Sequence, residues 1–372
     1  MEGTNKKPRR ISELDALRGI AAIGVLIFHY SIIYKVKLHT LNFNTDDPFP
    51  GFHFTFGEMG VDLFFVLSGF VIMMTSERVK SALDFAIARF VRLWPTFFVC
   101  CSITCIFLIC FPMGISQRLP VYLVNLTLVQ PGFVKFPLID GAYWSLHVEV
   151  EFYAIIFLLI IFKQTKKIVF YFSLFTVLCL VYQLILLLFH TDNVAHHDIG
   201  LIRHSGTFLT GIYCYRYYQT RDYKYLVGIG LLSFGVLLSH GLRNYTFGVI
   251  PHYFGNLLFI IVMLYVTLIG NRFLRHEIFQ FFGKISYSLY LLHQMIGFTV
   301  MHYLNTYGLN LNYCAGFAFI FVVILASLVT YLVDVPAQKY LRVKITELVK
   351  KPGYLDDNNI KIDKSINAHK AS

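Results

Sequence analysis

The chain carries little charge: Asp, Glu, Lys and Arg together make up 14% of its 372 residues. A soluble domain of this length has about a quarter of its residues charged, so that class is excluded. Acidic residues are the scarcer sign, 21 against 32 Lys and Arg, and the formal net charge is +11. The seven cysteines (Cys100, Cys101, Cys105, Cys110, Cys179, Cys214 and Cys314) lie inside apolar runs with neither metal-ligand nor loop-to-loop spacing. That excludes a disulfide framework and leaves them as small buried side chains. No internal repeat and no soluble appended domain is found. The basic start MEGTNKKPRR leads into an apolar stretch longer than a signal h-region and lacks a small-residue cleavage site, so it is expected to remain on the mature chain.

What the chain has in quantity is apolar surface, 56% hydrophobic and 17% aromatic residues, with a mean hydropathy of +0.62. This is the composition of a polytopic membrane protein. Apolar windows of membrane length recur near 14 to 34, 58 to 76, 84 to 111, 143 to 162, 168 to 189, 199 to 216, 225 to 240, 249 to 269, 281 to 303 and 313 to 335. They predict an all-α bundle of about ten transmembrane helices. All but six of the Lys and Arg (Lys35, Lys37, Arg118, Lys135, Arg203 and Arg243) then fall on one side. By the positive-inside rule that side is cytoplasmic and holds both termini, which explains the basic balance without nucleic acid. The expected organisation is a basic tail over 1–11, a membrane domain over 12–345 and a polar tail over 346–372, in the plasma membrane. Within the second large outer segment, VYLVNLTLVQ reads as a short re-entrant or interfacial helix.

The first window, SELDALRGIAAIGVLIFHY, carries Arg18 and, eleven residues on, His29. Eleven steps make about 16 Å of rise and three turns plus about 20°, so both side chains share one face. An ionisable group at membrane depth is costly and points to function. Helical rise puts His29, Glu149 of YWSLHVEVEFY and His293 of GKISYSLYLLH at about one level, near 18 to 20 Å from the inner surface. Glu151 faces elsewhere and is given no role. Arg89 and Arg92, in ARFVRLWP, share a face nearer the cytoplasm and with Arg18 form a set of guanidinium groups in need of anions, either phosphates or the carboxylates of Asp15 and Asp62. Ser68 and Gly69 of GVDLFFVLSGFVI permit close helix packing and also leave room for a chain-like ligand. An anion cradle opening inward, with a His/Glu site beyond the midplane, suits a donor with a phosphate-rich head and a long thin arm, the shape of an acyl-CoA.

LDALRGIAAIGVLIFH, GVDLFFVLSGF, RFVRLWP, WSLHVEVEFY, RHSGTFLTG and ISYSLYLLH, in this order, resemble the motifs of the integral-membrane acyltransferase-3 family, which O-acylates sugars of bacterial surface polysaccharides. The resemblance spans Leu14 to Pro336. It implies that Arg18 and His29 are essential, that Arg89 and Arg92 help hold the acyl-CoA donor, and that Glu149 belongs to the active site. It also implies a bacterial inner-membrane location. Asp334 stands in VDVP where the family commonly has Glu. The family's hydrolase-like extracytoplasmic domain does not follow, so a second transfer step is not expected.

The expected reaction moves an acyl group, acetyl for choice, from cytoplasmic acyl-CoA to a sugar hydroxyl, without a metal. His29 is the expected general base and Glu149 the group that orients its ring. His293 is placed on the acceptor side, and Tyr287, Tyr290 or Ser68 would supply the oxyanion donors. A covalent acyl-His29 relay is open at this stage. Two other classes stay open: a proton-coupled transporter using the same His, Glu and Arg groups, and a non-catalytic acyl-CoA sensor. Adjacent His196 and His197 point apart and are not expected to bind metal. Asn125 and Asn244 fit glycosylation triplets that are common by chance.

Overall fold

In the computed structural model the residues described are 11–43, 45–52, 54–113, 119–128, 137–189, 200–241 and 249–350. Residues 1–10 and 351–372 of the tails, His196, His197 and Asn244 lie outside them, and α13 takes in the first residues, 346–350, of the expected polar tail. In hydrocarbon a segment must satisfy its backbone polar groups internally, and the apolar windows accordingly fold as helices; among the described residues there is no strand. Helix α1 (Ser12–Phe28) passes through a π turn, His29–Ile33, into α2 (Tyr34–Thr40). Then come α3 (Gly60–Ser76), α4 (Ala82–Cys110), the short α5 (Leu119–Leu126), α6 (Trp144–Ile161), α7 (Ile168–Leu188) and α8 (Gly200–Thr220). They are followed by α9 (Lys224–Gly241), α10 (Val249–Leu268), α11 (Glu277–Thr306), α12 (Leu311–Val329), a second π turn (Thr330–Asp334) and α13 (Val335–Lys350).

Each of the ten apolar windows coincides with one of these helices. Six helical stretches among the described residues are long and apolar enough to cross a membrane: those of α1 with α2, α3, α4, α6, α7 and α12 with α13. The apolar parts of α9 and α10 are shorter, Lys224–Ser233 and Tyr253–Leu268. Helices α8 and α11 have the length but are more polar. On α11 that polarity faces inward, since Ser286, Ser288, His293 and Gln294 are all buried. The apolar window of α3 is 78% buried, that of α7 only 28%, so α3 is central and α7 peripheral. The main packing pairs are α1 with α11, α3 with α8 and α11 with α12.

Two close crossings set the frame. Gly19 of α1 lies against the backbone of Phe282 and Gly283, and a Cβ at Gly283 would strike the Asp15 carbonyl. Gly69 of α3 and Gly211 of α8 meet the backbones of Phe208 and Val66 in the same way, so Gly69 serves packing. A Gly283→Val substitution has backbone, which cannot yield, where its side chain must go. We expect about 1–3 kcal/mol of lost stability or more, read as a lower melting temperature in detergent.

The outer hydrophobic piece does form a short helix, α5. Its Asn125 is buried, donates to the carbonyls of Val121 (2.8 Å) and Pro137 (3.0 Å), and accepts from the Ile139 N–H at 3.1 Å. This triplet is therefore a pin between α5 and the following segment rather than a glycosylation acceptor.

Candidate active site

A cavity of about 730 Å³, its open mouth included, lies between α1, α3, α4, α6 and α11. Arg18, Arg89, Arg92, Ser68, Glu149, Tyr153 and Tyr287 line one part of it, and Phe64, Ser145 and Tyr290 the other. The helix directions explain the division. Along α11, Tyr287 precedes Tyr290 by one turn, and α6 runs the other way, so that Ser145 sits one turn above Glu149 and two above Tyr153.

The three arginines are not equivalent. Arg92 is committed to Asp334, at 3.3 Å, and its guanidinium lies 5.1 Å from the Tyr287 ring centroid. Asp334 also accepts from Thr96 Oγ1 (2.6 Å) and Gln338 Nε2 (2.9 Å), so it anchors the last π turn to α4. Arg18 has a long contact to Asp15, 3.7 Å, one turn back. Arg89 lies over the rings of Phe85 (5.9 Å) and Tyr153 (5.7 Å), and its Nε is buried with no hydrogen-bond partner among the described residues. A buried donor of this kind costs free energy until an acceptor arrives. Asp62, the other carboxylate considered for these arginines, faces His204 instead, at 3.6 Å.

Glu149 does not meet His29. Its Oε1 accepts from Ser68 Oγ (2.8 Å) and from the Tyr153 hydroxyl (2.5 Å), within the arginine cavity. The expectation of a shared level fails because the start of α6 is already level with the histidine pair, Asp140 accepting from the Met295 N–H and Ser145 being bonded to Tyr290. The turn that starts it, Gly141–Tyr143, has Ala142 at 1% and Tyr143 at 0% exposure, and Asp140, which caps it through the Ala142 N–H at 2.8 Å, is wholly buried. Glu149, one turn on from Ser145, is thereby carried past the histidine pair into the arginine cavity. Arg18 likewise stays with the cavity, about 16 Å of helical rise from His29. The two cannot act on one atom.

What His29 does meet is His293: Nε2 of His293 and Nδ1 of His29 are 2.9 Å apart. His293 is 1% exposed, and its Nδ1 is 2.7 Å from the Tyr290 carbonyl. His29 is half-buried and turned into the bundle, with Phe298 edge-on beside it. It opens the π turn His29–Ile33, a feature frequent at functional sites. The Tyr30 hydroxyl donates to the His293 carbonyl at 3.1 Å, and Gly297 leaves the space for it.

Three hydroxyls were candidates to stabilise an oxyanion. Tyr287 donates to the Leu93 carbonyl (3.0 Å) and Ser68 to Glu149, so both protons are committed. Tyr290 is bonded to Ser145 Oγ (2.6 Å) and donates to the Ala142 carbonyl (3.1 Å), so its proton too is engaged. Its ring centroid is also 5.5 Å from that of His293, so it touches both the cavity and the histidine pair. Neither His29 nor His293 lines the cavity. Val25, Ala142 and Tyr290, with Val61 and Phe64 against them, form an apolar layer in between.

Sequence reasoning missed Asp140, Tyr153 and the part played by Glu151. Asp140 Oδ2 accepts from the Met295 N–H at 2.9 Å, which ties the start of α6 to α11 two residues past His293. An Asp just before Gly-Ala-Tyr-Trp was the capping signal. Tyr153 follows Glu149 by one helical turn, a spacing that brings side chains together. Glu151 Oε2 accepts from the Leu201 N–H at 3.0 Å and so caps α8 from a neighbouring helix. No cluster of three or more His, Cys, Asp or Glu suited to a metal occurs among the described residues.

Among curated proteins, Protein 2 in the picA locus of Rhizobium radiobacter is 30% identical over 141 residues, 36% of this chain and 63% of that protein. The chain thus spans a little under two thirds of that relative's length. No solved structure matches it. Residues 11–332 match a family described as an acyltransferase domain, acyltransferase-3, and this stretch holds the arginine cavity and the histidine pair alike. The chain belongs to the acyltransferase-3 family.

Proposed function

We propose that the enzyme moves a short acyl group, acetyl for choice, from cytoplasmic acyl-CoA to a hydroxyl of a sugar in a surface polysaccharide or its lipid-linked precursor. In this reading ten helices cross the plasma membrane and both termini are cytoplasmic. The observation that carries it is the vertical order of the site: guanidinium groups, one of them with an unsatisfied buried donor, then Tyr290, then the two imidazoles.

The diphosphate of the donor sits among Arg89, Arg18 and Arg92, where anions are held by charge-assisted hydrogen bonds. The pantetheine arm is long and thin enough to run from there toward His29, past Tyr290, whose layer must part to admit the thioester. His29 takes the proton of the acceptor hydroxyl as its oxygen attacks the thioester carbonyl carbon. The carbon–sulfur bond breaks, and the thiolate leaves with the proton that His29 had taken. Tyr290 is the hydroxyl placed to donate to the developing oxyanion once it releases the Ala142 carbonyl.

The test uses the purified enzyme in bilayer nanodiscs with acyl-labelled acetyl-CoA and surface glycans from a strain lacking the gene. We expect labelled O-acetyl ester on the glycan and one equivalent of free CoA thiol. CoA release without labelled glycan, or uptake of substrate without CoA consumption, would overturn the reading.

A further inference from the structure

We infer that His293 is a positioning residue that holds His29 as the Nδ1–H tautomer, so that Nε2 is the nitrogen which receives the acceptor's proton. The inference deepens the acyl-transfer reading and rests on it. It follows from which atoms are able to donate. The Tyr290 carbonyl can only accept. His293 Nδ1, 2.7 Å away, must therefore carry a hydrogen. A neutral imidazole has one N–H, so His293 Nε2 is left with its lone pair. The 2.9 Å contact between that nitrogen and His29 Nδ1 then needs its hydrogen from His29. A neutral His29 with a proton on Nδ1 has a bare Nε2, the opposite of the form that free imidazole prefers.

The surroundings hold this chain of contacts in place. The His293 main chain is fixed from one side by the Tyr30 hydroxyl, which donates to its carbonyl. From the other side Asp140 binds the Met295 N–H. Tyr290, whose carbonyl ends the chain, is bonded through its hydroxyl to Ser145. Three helix segments, α1 with its π turn, α6 and α11, thus converge on the orientation of one ring.

The arrangement uses a neutral acceptor where other catalytic histidines are oriented by a carboxylate. When His29 takes the acceptor's proton on Nε2, its Nδ1–H remains pointed at the His293 lone pair, which stabilises the imidazolium without adding a buried anion. The same Nε2 proton then passes to the departing thiolate, so His29 returns to its starting tautomer and His293 neither gains nor loses a proton.

The experiment is solid-state ¹⁵N spectroscopy of the full chain, histidine-labelled, in bilayers near neutral pH, with the His29 signals identified by their loss in His29→Ala. The expected result is a protonated Nδ1 and an unprotonated Nε2 on His29. In His293→Leu that assignment should give way to the Nε2–H form, with kcat down about 10²–10⁴-fold, the range for mispositioning a catalytic imidazole, and KM for acetyl-CoA unchanged. His293→Gln, whose side-chain oxygen can accept from Nδ1–H, should recover part of the rate. An Nε2–H tautomer in the wild type, or a His293→Leu enzyme slowed with the His29 tautomer intact, would overturn the inference. Full activity in His29→Ala would instead remove the acyl-transfer chemistry assigned to His29, whatever the tautomer proves to be.

Discussion

His29→Ala should lower acyl transfer by about 10³-fold, within the span expected for loss of a positioned general base, while acetyl-CoA binds as before. The separation of effects is what the geometry demands. His29 lies beyond the apolar layer of Val25, Ala142, Tyr290, Val61 and Phe64 and does not line the arginine cavity, so truncating it leaves the donor's phosphate contacts untouched. It also leaves His293 with an unused lone pair but no buried charge, which keeps the structural penalty small. Equilibrium binding of acetyl-CoA to the detergent-purified variant, set beside its turnover, separates the two. If instead the variant lost donor affinity and transfer in the same proportion, His29 would belong to the donor site and the vertical order would be wrong.

Arg89→Ala should weaken acetyl-CoA binding by about 10- to 100-fold, corresponding to about 1.5–3 kcal/mol for hydrogen bonds to a charged group. Turnover at saturating donor should change little. Arg89 is singled out because its contacts are ring faces, Phe85 and Tyr153, and its buried Nε has no acceptor among the described residues. Arg92→Ala should behave differently. It strips a partner from Asp334, a side chain only 5% exposed, and so loosens the attachment of the last π turn to α4. Its signature is a lower melting temperature first and weaker donor binding second. Titration calorimetry with acetyl-CoA and thermal unfolding of both variants distinguish the roles. Raising salt should weaken donor binding less in Arg89→Ala than in the wild type, because one charge contact has gone.

Much of this was legible in the chain. The spacing of Arg18 and His29 placed both on one face of a single apolar helix, and the structure sets them at the two ends of the site. The rise along α11 brought His293 level with His29, and the two are in contact. The arginine cluster follows from the three-residue spacing of Arg89 and Arg92. Depth on α6 was not legible, because arithmetic from a helix start assumes that the start is at the surface, whereas this one is level with the histidine pair, Asp140 binding the Met295 N–H two residues past His293. Glu149 was therefore paired with the wrong group. The commitment of Arg92 to Asp334, 242 residues on, is a tertiary pairing with no local signal. The orienting of one imidazole by another was also out of reach, since it depends on which nitrogen faces which neighbour.

The crossing of Gly19 on Gly283 has a mechanical consequence. Each histidine of the pair stands ten residues beyond the glycine of its own helix, so both ride on arms of about 15 Å that share one fulcrum. A splay of about 5° at that fulcrum would part the two rings by roughly 1.3 Å over such arms, enough to break a bond of hydrogen-bond length. The wide turn that begins at His29 sits at the tip of one arm, where it can absorb such a movement without disturbing the pivot.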